Sequence, residues 1–272
     1  MQTMKTDEKT GVMYRRWQAR SPRAVFLLVH GLGAHSGRWE FLSFYFIQNN
    51  ISSYAIELKG FGETRGLRGH IDSLDIYQKD VRSLYDIATK ENPGKKIFLI
   101  GESMGALITL LAAISQCDLF EGLVCISPAF VSRIKFSVLD YLKITALLIF
   151  NSKKQIKLPF NSKMCTQDAQ YQRAMDGDLR EHRLVTPKLL TEIAKAQLRT
   201  LRSKSELKVP VLFQLAEADS MVSPEASKKV FKGLAVKDKR MITYPGMRHA
   251  LSIELERYRV FEDILKWLDG RI

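Results

Sequence analysis

The pentapeptide Gly101-Glu102-Ser103-Met104-Gly105 follows directly on the apolar run KKIFLI and leads directly into the apolar stretch MGALITLLAAI. A serine at the bend between a buried strand and a helix needs so tight a turn that glycines must stand where side chains would collide. The bend therefore ties one strand to one helix packed back upon it and leaves a hydroxyl standing above the strand end. Few architectures other than layered sheet and helix can hold such a corner.

The rest of the chain repeats the pattern. Short apolar runs at 24–30, 51–58, 122–127, 209–216 and 239–244 each end in turn residues: a glycine-rich loop, KGFGETRG, Pro128, EAD and PGMRHA in that order. Their length and exits read as buried strands. Between them, Ile76, Val81, Leu84, Ile87 and Ala88 recur at helical spacing. The stretch 104–114 is apolar nearly all round, as a helix against a sheet should be. Further helices are expected at 224–231, capped by Ser223, and at 255–268. Strands alternating with helices predict an α/β fold with a mainly parallel, doubly wound sheet and ligands at the carboxyl ends of its strands. The alternation stops between Ser127 and Val209, where helical pieces at 136–150 and 186–202 stand among basic loops with little that reads as strand. The expected organisation is a core at 1–127 and 207–272, with a helical cap insertion at 128–206. No internal repeat or low-complexity tract is visible.

Composition narrows the function classes. A hydrophobic share of 46% and a charged share of 26% are those of a globular protein and exclude a disordered or collagenous chain. The 42 Lys and Arg against 29 Asp and Glu leave a charge of +13, which suits nucleic acid, an anionic membrane surface or an acidic substrate. No nucleic-acid-binding motif accompanies it, so no nucleic acid partner is expected. Cys117, Cys125 and Cys165 match no metal spacing and are read as core filling, with no metal. The opening MQTMKTDEKTGV is polar and lacks the apolar segment of a secretory signal, so a reducing, cytoplasmic setting is expected. The apolar stretches at 24–29 and 144–150 fall far short of the ~20 residues that span a bilayer.

A serine hydroxyl needs a base to become a nucleophile, and the base needs a carboxylate to orient it. Of His30, His35, His70, His182 and His249, the last is the candidate base. It follows the final strand, and serine, acid, histidine is the chain order that goes with a strand-to-helix nucleophile. Asp219, just past the strand at 209–216, is the candidate acid, with Glu217 two residues away as the alternative. The loop His30-Gly31-Leu32-Gly33 can supply the N–H of Leu32 to pair with that of Met104 as donors to an oxyanion. GLGAHSG lacks the Lys-Ser/Thr ending of a phosphate loop and the third glycine of a dinucleotide loop, which argues against a nucleotide.

Together, HGLGAHSGRW, GFGETRGLRGH, GESMGA, ISPAF, LAEADSMVSP and YPGMRHAL resemble the monoacylglycerol lipase and lysophospholipase branch of the α/β-hydrolase fold. The resemblance implies a triad of Ser103, Asp219 and His249, an oxyanion hole at Leu32 and Met104, and hydrolysis of a single-chain lipid ester beneath a helical cap without any cofactor. Many members carry histidine where this chain has Glu102, and a second glycine where it has Ala106. The alternatives are a carboxylesterase or thioesterase of short acyl or aromatic esters, or a catalytically silent relative that binds a hydrophobic ligand. The crowded apolar segment from Phe136 to Phe150, followed by Lys153, Lys154 and Lys157, reads either as a cover for an acyl pocket or as an interfacial segment meeting anionic lipid.

Overall fold

The structure, a computed structural model, describes residues 3–272; Met1 and Gln2, at the head of the polar opening segment, lie outside the described residues. The chain begins with strands Thr3–Thr6 (β1), Met13–Trp17 (β2) and Ala24–Val29 (β3). Helix Glu40–Gln48 (α1), strand Ile51–Glu57 (β4) and helix Asp75–Glu91 (α2) follow. Strand Lys96–Glu102 (β5), helix Met104–Ser115 (α3) and strand Gly122–Ile126 (β6) complete the first half. The central segment holds helix Val138–Phe150 (α4), strand Ile156–Lys157 (β7), helices Ser162–Cys165 (α5) and Ala169–Gly177 (α6), strand Leu184–Val185 (β8) and helix Pro187–Ser203 (α7). Strand Val211–Ala216 (β9), helix Pro224–Lys232 (α8), strand Lys239–Tyr244 (β10) and helix Arg257–Asp269 (α9) close the chain.

Among the described residues, eight strands form one sheet in the order β1-β2-β4-β3-β5-β6-β9-β10. β1, β2 and β4 pair antiparallel, and every later pairing is parallel. The apolar runs are continuous because both faces of the central strands are covered. In β3, Val25, Leu27 and Val29 point into one core layer, and Ala24, Phe26 and Leu28 into the other. β5 and β6 divide in the same way. Helices α2, α3 and α8 cover the first face, and α1 and α9 the second. Each fully buried leucine or phenylalanine contributes about 2 kcal/mol, so the two layers supply most of the driving force. Helix α3 buries ten of its residues, in keeping with its all-round apolar sequence.

The expected strands occur within one or two residues of their predicted ends, and Ser223 caps α8 by accepting from Ala226 N–H. Three features differ from the sequence reading. β1 and β2 add an antiparallel edge, whose polar sequences TMKT and MYRRW carry little strand signal. Helix α1 was hidden by an aromatic-rich sequence, EFLSFYFIQ, with almost no amphipathic period. The central segment is not wholly helical, since β7 and β8 pair antiparallel within it.

The central segment lies over the strand ends and is fastened there at its rim. Arg38 donates through Nε and Nη2 to the two carboxylate oxygens of Glu181, both at 2.6 Å. His182 N–H donates to Gly33 O at 2.8 Å, and Thr186 N–H to Gly69 O at 2.9 Å. The Arg38–Glu181 pair is almost wholly buried. Removing one partner of such a pair strands a charge away from water, at a cost of about 3–5 kcal/mol. Helix α4, by contrast, buries no residue at all.

Candidate active site

Ser103 sits between β5 and α3 with φ +58° and ψ −119°, a conformation that L-residues rarely adopt. The close packing beneath it explains its flanking glycines. A Cβ on Gly105 would lie 2.0 Å from Val29 O, and one on Gly101 would lie 2.4 Å from Gly105 O. The elbow backbone is tied to the end of β6 through Ser103 N–H to Ile126 O at 2.9 Å and Ala129 N–H to Ser103 O at 3.1 Å. Sheet and helix together hold the serine in its strained turn.

Asp219 lies three residues beyond β9 and His249 five beyond β10, and both are buried. Asp219 Oδ2 accepts from His249 Nδ1–H at 2.7 Å, while Oδ1 accepts from Met221 N–H at 2.8 Å and Val222 N–H at 2.9 Å. Burial works to raise the Asp219 carboxyl, but the charge and hydrogen bond of His249 and the two backbone donors outweigh it and hold the group below the ordinary carboxylate range. For His249, burial works downward, yet the charge and hydrogen bond of Asp219 and the charge of Glu102 prevail over it and over Arg38. The imidazole stands above its ordinary value of 6.5. Glu217, the alternative acid, is exposed.

Ser103, His249, Leu32 and Met104 line one cavity of about 410 Å³. The N–H groups of Leu32 and Met104 donate to no acceptor among the described residues, and that of Met104 is free because it opens a helix. Two unpaired donors beside a serine can receive a developing oxyanion. Ser103 and His249 line the same cavity with no hydrogen bond between them; in such sites this contact is often long until substrate is seated. The cap supplies most of the remaining wall, including Phe136, Tyr141, Ile144, Leu158, Phe160 and Ile193. Among the described residues there is no group of His, Cys, Asp or Glu arranged to hold a metal.

The other histidines are engaged elsewhere. His30 Nδ1–H donates to Gly31 O and Nε2 accepts from Leu58 N–H, while His35 faces Asp178 and Glu181. His70 lies between Thr186 and Asp72, and His182 bonds Gln155. Two charged lining side chains escaped the sequence reading as parts of the site, Arg38 and Glu102. Glu102 closes the otherwise apolar strand β5 and is buried there, whereas Lys96, the other charged residue of KIFLIGE, is exposed.

The chain matches the family described as serine aminopeptidase, S33, over residues 20–256. It belongs to that family. Human monoglyceride lipase is 27% identical over 265 residues, which cover 94% of this chain and 86% of that protein. Phospholipase YtpA of Bacillus subtilis is 27% identical over 259 residues, covering 94% and 99%. The crystal structure of the Paleococcus ferrophilus monoacylglycerol lipase superimposes with a TM-score of 0.87 at 26% identity, covering 96% of this chain and 99% of that one. The α/β-hydrolase fold and the likeness to monoacylglycerol lipases expected from the sequence are borne out.

Proposed function

We propose that this carboxylic ester hydrolase cleaves single-chain lipid esters, with a monoacylglycerol as the preferred substrate, through an acyl-enzyme on Ser103. The observation that carries the reading is the apolar cavity under the cap, which has its polar end at Ser103 and His249. Such a shape suits an acyl chain better than a peptide. Arg38 and Glu102 are the charged lining groups apart from His249. Because Arg38 is already neutralised by Glu181, the cavity offers a phosphate headgroup little, which favours the neutral glycerol ester over an anionic lysophospholipid.

In this mechanism His249 Nε2 takes the proton of Ser103 as Oγ attacks the ester carbonyl. Asp219 keeps Nδ1 protonated and stabilises the imidazolium, and the N–H groups of Leu32 and Met104 receive the oxyanion. The imidazolium then protonates the departing glycerol oxygen. A water deprotonated by the same imidazole attacks the acyl-enzyme, and the fatty acid leaves.

Helix α4 supports both readings of its sequence at once. Tyr141 and Ile144 line the cavity, while Val138, Leu139, Leu142, Ile149 and Phe150 are exposed, Phe150 to 85%. Exposed Lys143, Lys153 and Lys154 border this apolar face. The combination suits peripheral contact with an anionic membrane surface, and no helix among the described residues is long and apolar enough to cross a membrane.

An acyl-length series of monoacylglycerols, set beside short p-nitrophenyl esters, tests the reading. kcat/KM is expected to rise at least tenfold from short to long chains, and the long-chain esters to turn over faster in anionic than in neutral vesicles. A maximum at acetyl or butyryl esters would assign a short-ester esterase, absence of all turnover a silent relative, and equal rates in the two vesicles would remove the membrane contact.

A further inference from the structure

Glu102 is the residue just before the nucleophile, and it is 5% exposed. Its carboxylate accepts hydrogen bonds from a single residue, 150 positions further along the chain. Oε1 accepts from Ser252 N–H at 3.1 Å and Oε2 from Ser252 Oγ–H at 2.9 Å. Ser252 belongs to the 3-10 turn Leu251–Ile253, which begins two residues after His249. The carboxylate has no ion-pair partner among the described residues. A buried, unpaired carboxylate is costly, and a glutamine could fill the same space more cheaply. The serine hydrolysis proposed above uses neither Glu102 nor Ser252.

We propose that Glu102 is a positioning residue for His249: through Ser252 it fastens the turn behind the imidazole to the end of the nucleophile strand, and it sets a second negative charge, besides that of Asp219, acting on the ring. The inference rests on the reading of the protein as a serine hydrolase. In the reaction, His249 becomes an imidazolium at each tetrahedral intermediate, and a fixed carboxylate in a poorly solvated site stabilises that cation without reorganising.

Charged and titratable groups from several elements surround the pair. Arg38, on the 3-10 turn Ser36–Trp39, opposes Glu102 in its action on His249 and is itself bound to Glu181. Asp219 is held ionised. From the cap, burial pushes the Cys165 thiol up to about 11 and the Tyr171 hydroxyl up to about 12, so both stay neutral near pH 7. Burial also pushes the Glu102 carboxyl above its ordinary range, against the Ser252 N–H, the charge of His249, the Ser252 hydroxyl and Arg38. The Glu102 carboxylate and the His249 imidazole act on each other across one buried site, so the acid limb of activity is read as a property of the pair.

Glu102→Gln separates charge from shape. Its amide oxygen can accept from Ser252 N–H and its amide nitrogen can donate to Ser252 Oγ, so the tether persists without the charge. The expected result, read from kcat/KM against pH on a water-soluble ester, is an acid limb moved down by about one pH unit, because removing a nearby negative charge makes the imidazole easier to deprotonate. The plateau kcat is expected to fall roughly tenfold as the imidazolium loses a stabilising charge. Ser252→Ala removes the hydroxyl donor, disfavours the charged carboxylate and is expected to move the limb the same way by less. The double variant is expected to move it no further than Glu102→Gln alone, as two residues acting as one unit should. A limb that stays at the wild-type pH in Glu102→Gln overturns the proposal, whatever happens to kcat. If that variant does not fold, an unmoved limb in Ser252→Ala overturns it instead. Absence of ester turnover in the wild-type protein would defeat the hydrolase reading itself, a result that neither variant can imitate.

Discussion

Replacing His249 with alanine is expected to lower kcat by about six orders of magnitude while KM changes little, because the serine hydroxyl loses the base proposed for it and no other histidine among the described residues lines the cavity. The size of the effect follows from where the other histidines stand. His30 has both ring nitrogens occupied, by Gly31 O and Leu58 N–H. His35 is buried against Asp178 and Glu181, and burial with the charges of Arg180 and Arg38 holds its imidazole down to about 3. His70 and His182 serve the cap junction. Glu102, the remaining proton acceptor in the cavity, is tied to Ser252. Single-turnover kinetics with a p-nitrophenyl ester measure the loss, and a loss smaller than a hundredfold would mean that another group takes the serine proton.

Asp219→Asn is the second large effect, with kcat expected to fall about ten-thousandfold in a protein that keeps its fold. The reason lies in the two backbone donors. Met221 N–H and Val222 N–H both point at Oδ1 and require an oxygen there, so an asparagine must turn its NH₂ towards His249. An NH₂ facing Nδ1 makes that nitrogen the acceptor and moves the imidazole proton to Nε2, where it points at Ser103 and cannot accept. The tautomer is wrong although every heavy atom stays in place. Nitrogen NMR of the imidazole reads it directly, and a variant still protonated at Nδ1 with near-normal kcat would contradict this account of Asp219.

Much of this site was legible because its members occupy positions that local sequence defines. Ser103 lies in a bend that only a glycine-flanked turn can make, and Asp219 and His249 follow apolar runs whose length marks them as strands. A doubly wound sheet brings such strand ends to one edge, so residues far apart in sequence could be read as neighbours. What remained hidden depends on contacts with no local signature. Glu102 meets Ser252 across 150 positions, and Arg38 meets Glu181 across 143; neither partner differs from an ordinary surface residue in sequence. The edge strand TMKT and helix EFLSFYFIQ lack a usable period, because the first is mostly polar and the second is apolar on nearly every side. In the central segment, the apolar face of α4 could be recognised but not divided into the side that covers the cavity and the side left in solvent. That division is set by where Tyr141 and Ile144 come to rest.

Ser103 as the nucleophile is the claim on which the remaining chemistry stands, and covalent labelling tests it most directly. Treating the protein with a fluorophosphonate and mapping the adduct by peptide mass spectrometry is expected to give one phosphonylated residue, Ser103, and no adduct in a folded Ser103→Ala variant. An adduct on any other residue, or one that persists in that variant, would contradict the account.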